Sequence, residues 1–114
     1  MNRKKKLDNL MTLFGDEKKF IIDGYYRLRT IDDDTIELAY LVAGPCGDSI
    51  AHPKIIVSLI KSAPIGTKLI DMHSSPPLLL TRNDDNTAEI DRALDTLIQK
   101  FESSLCKQKN TKMN

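Results

Sequence analysis

The feature that most constrains this sequence is an aliphatic stretch near its middle, residues 52–63. It begins with His52-Pro53, and proline is favoured in the first turn of a helix, where its missing N–H would have no intrahelical partner. At about 100° per residue, the apolar side chains of the stretch spread over roughly 200° of a helical wheel. A helix that covers one face of a sheet needs an apolar arc of about half that width. The stretch therefore predicts a central helix with a second partner.

A second copy of the chain would explain so wide an apolar arc in a short protein. The residues expected at that dimer interface are Ile55, Ile56, Leu59 and Ile60. A deeply buried core helix explains the same pattern equally well, so both interpretations stay open.

Length and composition predict one domain spanning residues 1–114, with frayed tails at 1–5 and 107–114. The chain is 40% hydrophobic and has no tryptophan, which indicates a modest aliphatic core. The basic start, residues 3–6, is not followed by an uninterrupted apolar segment, and no run of about 18 apolar residues exists. We expect a cytoplasmic protein that does not enter a membrane. A net charge of +1 with both signs interspersed argues against a general nucleic-acid binder.

The spacing of apolar residues predicts the remaining elements. A first amphipathic helix is expected from about Lys4 to Phe14, stopped by Gly15. Strands are expected at residues 20–22, 25–31 and 35–43 before the central helix, and at 67–72 and 78–81 after it. A last helix follows Asn86, which forms a variant capping box with Glu89. The predicted fold class is α+β, an antiparallel sheet with helices on one side in the order α-β-β-β-α-β-β-α.

Candidate chemistry is sparse. Cys46, His52 and His73 are the residue types for nucleophilic catalysis, but no nucleophile motif surrounds Cys46. The aspartates at 32–34 and 84–85 match no calcium loop and are typical of turns and helix caps. We therefore expect no catalytic residue, no metal and no cofactor.

One strand carries basic and aromatic residues together. Arg27 and Arg29 lie beside Tyr25 and Tyr26, a combination found on single-strand RNA platforms. Acidic neighbours such as Glu37 dilute that charge. A half-exposed strand face explains the pattern better, so a binding module without nucleic acid is favoured.

The order of elements and the hydrophobic pattern over residues 7–105 resemble a known family. The first helix ends in Leu-Phe-Gly at residues 13–15, a two-part strand region follows at 20–34, and a Thr-Ile-Glu-Leu strand begins at Thr35. The central aliphatic stretch, the Leu78-Leu79-Leu80 strand and a final amphipathic helix ending in Phe101-Glu102 complete the pattern. It is similar to the class I type III secretion chaperones, the Tir-chaperone-like family of small bacterial cytosolic proteins.

The resemblance implies a homodimer with its second helix at or near the dimer seam. It also implies a virulence-related function: binding the unfolded N-terminal segment of a secreted effector, keeping it secretion-competent and presenting it to the secretion ATPase. The chaperone itself hydrolyses no nucleotide. Binding in such proteins uses hydrophobic patches and strand addition at a sheet edge.

We expect the effector segment to contact the first helix and the first strands, which carry apolar residues on both faces. The residues expected to bind the partner are Ile22, Tyr26, Leu28, Leu38 and Leu41. Two other functions stay open: a small dimeric nucleic-acid-binding regulator that uses the basic N-terminal arm, and an immunity or anti-toxin adaptor.

Overall fold

The computed structural model describes residues 3–21, 24–60 and 63–112, with side chains described as far as Leu105. Within these residues, six strands lie between two helices. The elements are α1 (Arg3–Leu13), β1 (Lys19–Ile21), β2 (Gly24–Asp32), β3 (Thr35–Ala43), β4 (Ser49–Ser58), β5 (Ile65–Asp71), β6 (Leu78–Thr81) and α2 (Thr87–Lys112). The strands form one antiparallel sheet in chain order, β1-β2-β3-β4-β5-β6.

Both helices lie on the same face of this sheet, which we call the covered face. One row of cross-strand partners on that face is Leu28, Leu38, Ile55, Leu69 and Leu80. These side chains join one core cluster with the apolar stripes of α1 and α2. The α+β class, the antiparallel sheet and the placement of helices on one side are confirmed.

The predicted central helix is wrong, because the first part of that stretch is strand β4, which pairs with β3 and β5. Ile55 and Val57 face the core, whereas Ile56 points to the opposite side of the sheet. The β-branched run of residues 55–57 fits a pleated strand between two neighbours. Pro53, which cannot donate to a ladder, lies at the register shift between β3 and β4. The broad apolar arc therefore reflects a strand with apolar residues on both faces.

The sequence-predicted capping residue at the start of α2 has a different role. The backbone carbonyl of Asn86 accepts the N–H of Ile90 at 3.0 Å, as an N-cap residue does. Its side chain, however, accepts from the N–H of Asn83 and donates to the carbonyl of Thr81. Asn86 thus ties the helix start to the end of β6.

A close approach between α2 and β5 depends on Gly66. A Cβ at this position would lie 2.7 Å from Cγ2 of Ile90 and 3.3 Å from Cγ2 of Ile55. The absence of a side chain lets the helix rest directly on the strand.

Parts of both expected tails are helical, since α1 begins at Arg3 and α2 runs to Lys112. The guanidinium of Arg3 donates to both carboxylate oxygens of Asp95, at 2.8 and 3.0 Å, and to the carbonyl of Pro64 at 2.9 Å. The start of α1 is therefore fastened to α2.

Candidate binding face of the sheet

The sheet has a second face, which we call the open face, on which neither α1 nor α2 packs. Its residues alternate along each strand with those of the covered face. One cross-strand row is Arg27, Ala39, Lys54, Ile70 and Leu79, and the next is Arg29, Glu37, Ile56 and Lys68. Basic and apolar side chains therefore share this surface.

Glu37 lies at the centre of the open face and is only 2% exposed. Its carboxylate accepts from Arg27 at 2.7 Å and from Arg29 at 3.3 Å, and the Nζ of Lys54 lies 3.9 Å away. The carboxylate is buried without a helix above it because long side chains from β2 and β4 lie over β3. Three cations around one buried carboxylate leave positive charge available at the surface.

A cavity of about 510 Å³ opens beside this cluster. Its lining residues are Arg27, Leu41, Asp48, Ser49, Ile50, Ala51, Lys54 and Met72. The Nε of Arg27 is buried and has no hydrogen-bond partner among the described residues. The guanidinium donates to Glu37 through Nη2, and it has other N–H groups that can donate to an acceptor at the cavity wall. The carboxylate of Asp48 contributes the opposite charge to the lining.

Apolar side chains continue the open face on either side of the cations. Leu79 is 68% exposed, Phe20 59% and Met72 54%. Ile56 and Ile70 are half-buried. Exposed apolar groups next to cations form an amphipathic surface suited to a partner that has both characters.

The aromatic residues of the open face are confined to one end. The rings of Phe20 and Tyr25 meet edge to face with centroids 5.1 Å apart. The Nζ of Lys18 lies 4.6 Å from the Tyr25 ring centroid and donates to the hydroxyl of Ser49 at 2.6 Å. Tyr25 is therefore already engaged by two neighbours.

The sequence-predicted partner residues do not share one surface. Tyr26, Leu28 and Leu38 are buried on the covered face, in the core beneath the helices. Leu41 lies on the open face as part of the cavity lining, and it is 5% exposed. Ile22 lies outside the described residues. The first strands do carry apolar residues on both faces, but the helices of the same chain cover one of them.

The four residues expected at a dimer interface are also separated. Ile55 is in the core and Ile56 is on the open face. Leu59 packs against the core, whereas Ile60 is 74% exposed. With β4 in place of a helix, they form no continuous stripe.

His52 and His73, two of the residues considered for catalysis, meet at Asp71. The Nδ1 of His52 lies 2.9 and 3.0 Å from the two carboxylate oxygens of Asp71, and the two histidine rings are 4.7 Å apart. Asp71 also accepts the backbone N–H groups of His73 and Ser74. The hydroxyl of Ser74, which has one proton to donate, lies 3.2 Å from the carbonyl oxygen of Asp71 and 3.0 Å from that of Pro76. The cluster therefore ties the β5–β6 connection to β4, and Ser74 is not aligned with an imidazole as a nucleophile would be.

A smaller cavity of about 330 Å³ lies between the sheet and α2. Pro53, Leu69, Leu78 and Leu97 supply apolar lining, and Asp71, Glu89, Arg92 and Lys100 supply charges of both signs. It has neither the excess of cations nor the extended apolar surroundings of the open face.

Within residues 3–21, 24–60 and 63–112, no group of three or more His, Cys, Asp or Glu residues is placed to hold a metal ion. Neither described helix is long and apolar enough to cross a membrane. Comparison of the chain with protein-family models, with curated proteins and with solved structures finds no match.

Proposed function

We propose that this chain is a non-enzymatic binding protein that holds an extended segment of a secreted effector on its open face. The proposal follows the secretion chaperones that the sequence resembles and places the protein in the bacterial cytosol. The observation that carries it is the open face itself, where exposed apolar groups lie beside cations and neither of the two described helices covers them.

An extended segment is the form of partner that suits a sheet. Its alternate side chains project to one side about 6.6–6.8 Å apart, so one row can contact the face while the other stays in solvent. The segment is held by side-chain contacts across the face, because the backbone edge of β2 beyond β1 is already used: the N–H of Leu28 donates to the carbonyl of Gly15 at 3.1 Å.

Homodimer formation is a separate part of the proposal and also follows the resemblance. Ile60, on the β4–β5 connection, is the most exposed residue of the expected interface, and Ile56 and Leu59 are half-buried. Light scattering should give about twice the 12.9 kDa chain mass. The protein concentration should be tens of micromolar, because ordinary dimer affinities lie in the micromolar range. A mass of one chain would remove the dimer from the proposal.

Single-stranded nucleic acid is the second candidate ligand, and the cations of the open face next to Tyr25 and Phe20 favour it. The basic N-terminal arm adds less than the sequence indicates, because Arg3 is bound to Asp95. Nucleic-acid binding would fall steeply with salt, since each phosphate contact releases counterions. Heparin affinity that disappears between 50 and 200 mM salt, a range typical of phosphate binders, would support this candidate.

Site-specific photocrosslinking in the cells that encode the chain tests the proposed function. A benzophenone amino acid would replace Leu79 on the open face, and in the control it would replace Leu13, which is 50% exposed on α1. We expect the Leu79 position to crosslink one secreted protein, and deletion of the gene to deplete that protein from the secreted fraction.

Equal crosslinking from both positions, or no crosslinked protein, would contradict the proposal. A crosslink to RNA or DNA from the Leu79 position would replace it with the second candidate. Replacement of Cys46 by Ser and of His52 or His73 by Gln should leave the crosslinked yield within about threefold, a change under ~1 kcal/mol.

A further inference from the structure

We infer that the segment bound on the open face is acidic as well as apolar, and that Arg27 and Lys54 hold one of its carboxylates above Ala39. This inference rests on the proposed function and adds the chemistry of the partner. It commits to an acidic polypeptide, with nucleic acid as an outcome of the test.

The open face carries more positive than negative charge. The five cations on the open face are Lys18, Arg27, Arg29, Lys54 and Lys68, and they outnumber its three carboxylates, Asp32, Glu37 and Asp48. Glu37 is fully occupied by three of these cations and is shielded from solvent. Lys68 has no ion pair among the described residues. An anionic partner is therefore the complementary one.

Arg27 and Lys54 lie on either side of Ala39. Both are register partners of Ala39, one on β2 and the other on β4, so their Cα atoms are about two strand spacings, roughly 10 Å, apart. Ala39 has only a methyl group, which leaves space between the two longer side chains. The guanidinium of Arg27 donates to Glu37 through Nη2 and has further N–H groups, and the Nζ of Lys54 is 3.9 Å from Glu37, beyond hydrogen-bond distance. Both cations thus have donors left for a carboxylate.

The apolar groups of the open face lie beyond these cations, on β5 and β6. Ile70 and Leu79 follow Lys54 in the same cross-strand row. From Ala39 to Leu79 the row crosses three strand spacings, about 14 Å, which matches four residues of an extended chain. A segment that crosses the strands would place an acidic residue at Ala39 and an apolar residue four positions away at Leu79.

The surface beside the cations suits a polypeptide better than a nucleic acid. Unstacked bases need free aromatic faces, and Tyr25 is already engaged by Phe20 and Lys18. The apolar surface beside Lys54 is aliphatic instead, formed by the half-buried Ile56 and Ile70 with the exposed Leu79 and Met72. The exposed ring of Phe20 lies on β1, three strands away from β4. Aliphatic surface suits Leu, Val or Ile side chains of a peptide.

Fluorescence anisotropy with two synthetic peptides tests the inference. The probe is a fluorescein-labelled peptide with two repeats of Glu-Ser-Val-Ser-Leu-Ser, and its matched control has Gln in place of both Glu residues. We expect the acidic peptide to bind the full chain at least tenfold more tightly at low salt. The difference should shrink as salt rises, because screening weakens exposed charge pairs. Equal affinities, or no detectable binding of the acidic peptide, would overturn the inference.

A pair of charge-matched variants locates the effect. Lys54→Gln should weaken binding of the acidic peptide about fivefold, whereas Lys4→Gln on the exposed side of α1 should leave it unchanged. Equal losses in the two variants would contradict the assigned position. Tighter binding of a twelve-residue oligo-dT than of the acidic peptide would favour nucleic acid and overturn the inference. An effector crosslinked from Leu79 together with equal binding of the two peptides would refute the acidic anchor while retaining the proposed function.

Discussion

The two faces of the sheet consist of adjacent residues on the same strands, yet they have opposite characters. The covered face carries the row Leu28, Leu38, Ile55, Leu69 and Leu80, and the open face carries Arg27, Ala39, Lys54, Ile70 and Leu79. Each open-face residue is one position from its covered-face counterpart. Because side chains alternate with a period of two, a single residue separates a core position from a candidate binding position.

The difference shows how stabilisation and recognition are divided in this small protein. Side chains under the helices are closely packed and dry, and Leu94, Ile90 and Phe101 are fully buried. On the open face, burial is produced by long charged side chains that lie over Glu37. We expect substitutions to follow this division, with large losses of stability on one face and small ones on the other.

The largest effect should come from the core under α2. Leu94→Ala should reduce the free energy of unfolding by about 2–5 kcal/mol, because it leaves a cavity between α2 and β5. The matched control is Leu79→Ala on the open face, which should change stability by less than about 0.5 kcal/mol. Urea denaturation of both variants measures the difference, and similar losses would contradict the two-face description.

The next effect concerns the buried carboxylate of the open face. Glu37→Ala leaves Arg27, Arg29 and Lys54 without their shared partner and should destabilise the fold by about 1–3 kcal/mol. We place the value below that of a fully buried ion pair because all three cations are partly exposed. The double variant Arg27→Met with Glu37→Leu should recover much of the loss. Denaturation that shows no recovery would indicate that the charges are not coupled.

A smaller effect is expected where α2 rests on β5. Gly66→Ala should cost about 1–2 kcal/mol, because the added methyl group would overlap Ile90. Gly15→Ala is the control, since a Cβ there meets nothing within 4 Å. It should be neutral or slightly stabilising. Thermal unfolding compares the pair, and an unchanged melting temperature for Gly66→Ala would mean that the helix is not seated as described.

The smallest effect should come from the exposed pair that fastens α1 to α2. A double-mutant cycle on Arg3→Ala and Asp95→Ala should give a coupling of about 0.2–1 kcal/mol that falls with salt. The hydrogen bonds that Arg3 donates to Asp95 raise the pKa of Arg3 above its ordinary value. Since that shift stabilises the protonated form and the group stays charged well above neutral pH, we expect no loss of coupling between pH 6 and 9, far below the ordinary arginine range. A coupling that disappears within this interval would show that another group controls it.

Most elements were predictable because their periodicity was clear. Strand β2 alternates between buried and half-buried residues from Gly24 to Leu28, β3 places Ile36, Leu38 and Tyr40 on one face, and α2 carries an apolar stripe with polar residues opposite. Residues 55–57, Ile55-Ile56-Val57, are all apolar. Such a run fits both the 3.6-residue period of a helix and the two-residue period of a strand, so the sequence pattern could not separate the two. Pairing with β3 and β5 decides the conformation of β4, and this contact between distant parts of the chain is not visible in the local pattern.

The candidate site was less accessible to sequence analysis for the same reason. Arg27, Arg29 and Glu37 could be associated through a hairpin, and the sequence did indicate a basic strand surface. Lys54 joins them only because residues 49–58 form a strand beside β3. A helix at this position would have moved both Lys54 and Ile56 away from the sheet. Because β4 was predicted as a helix, the sequence could not show that Lys54 and Ile56 lie on the open face beside Glu37.

Isoleucine methyl NMR during titration with the acidic Glu-Ser-Val-Ser-Leu-Ser repeat peptide compares the two faces most directly. Isoleucine is present on both faces, with Ile56 and Ile70 on the open face and Ile55, Ile90 and Ile98 in the core. We predict that the Ile56 and Ile70 methyl signals shift with the peptide while the three core signals stay in place. Shifts confined to Ile55, Ile90 and Ile98 would contradict the account, because they would place the ligand between the sheet and the helices.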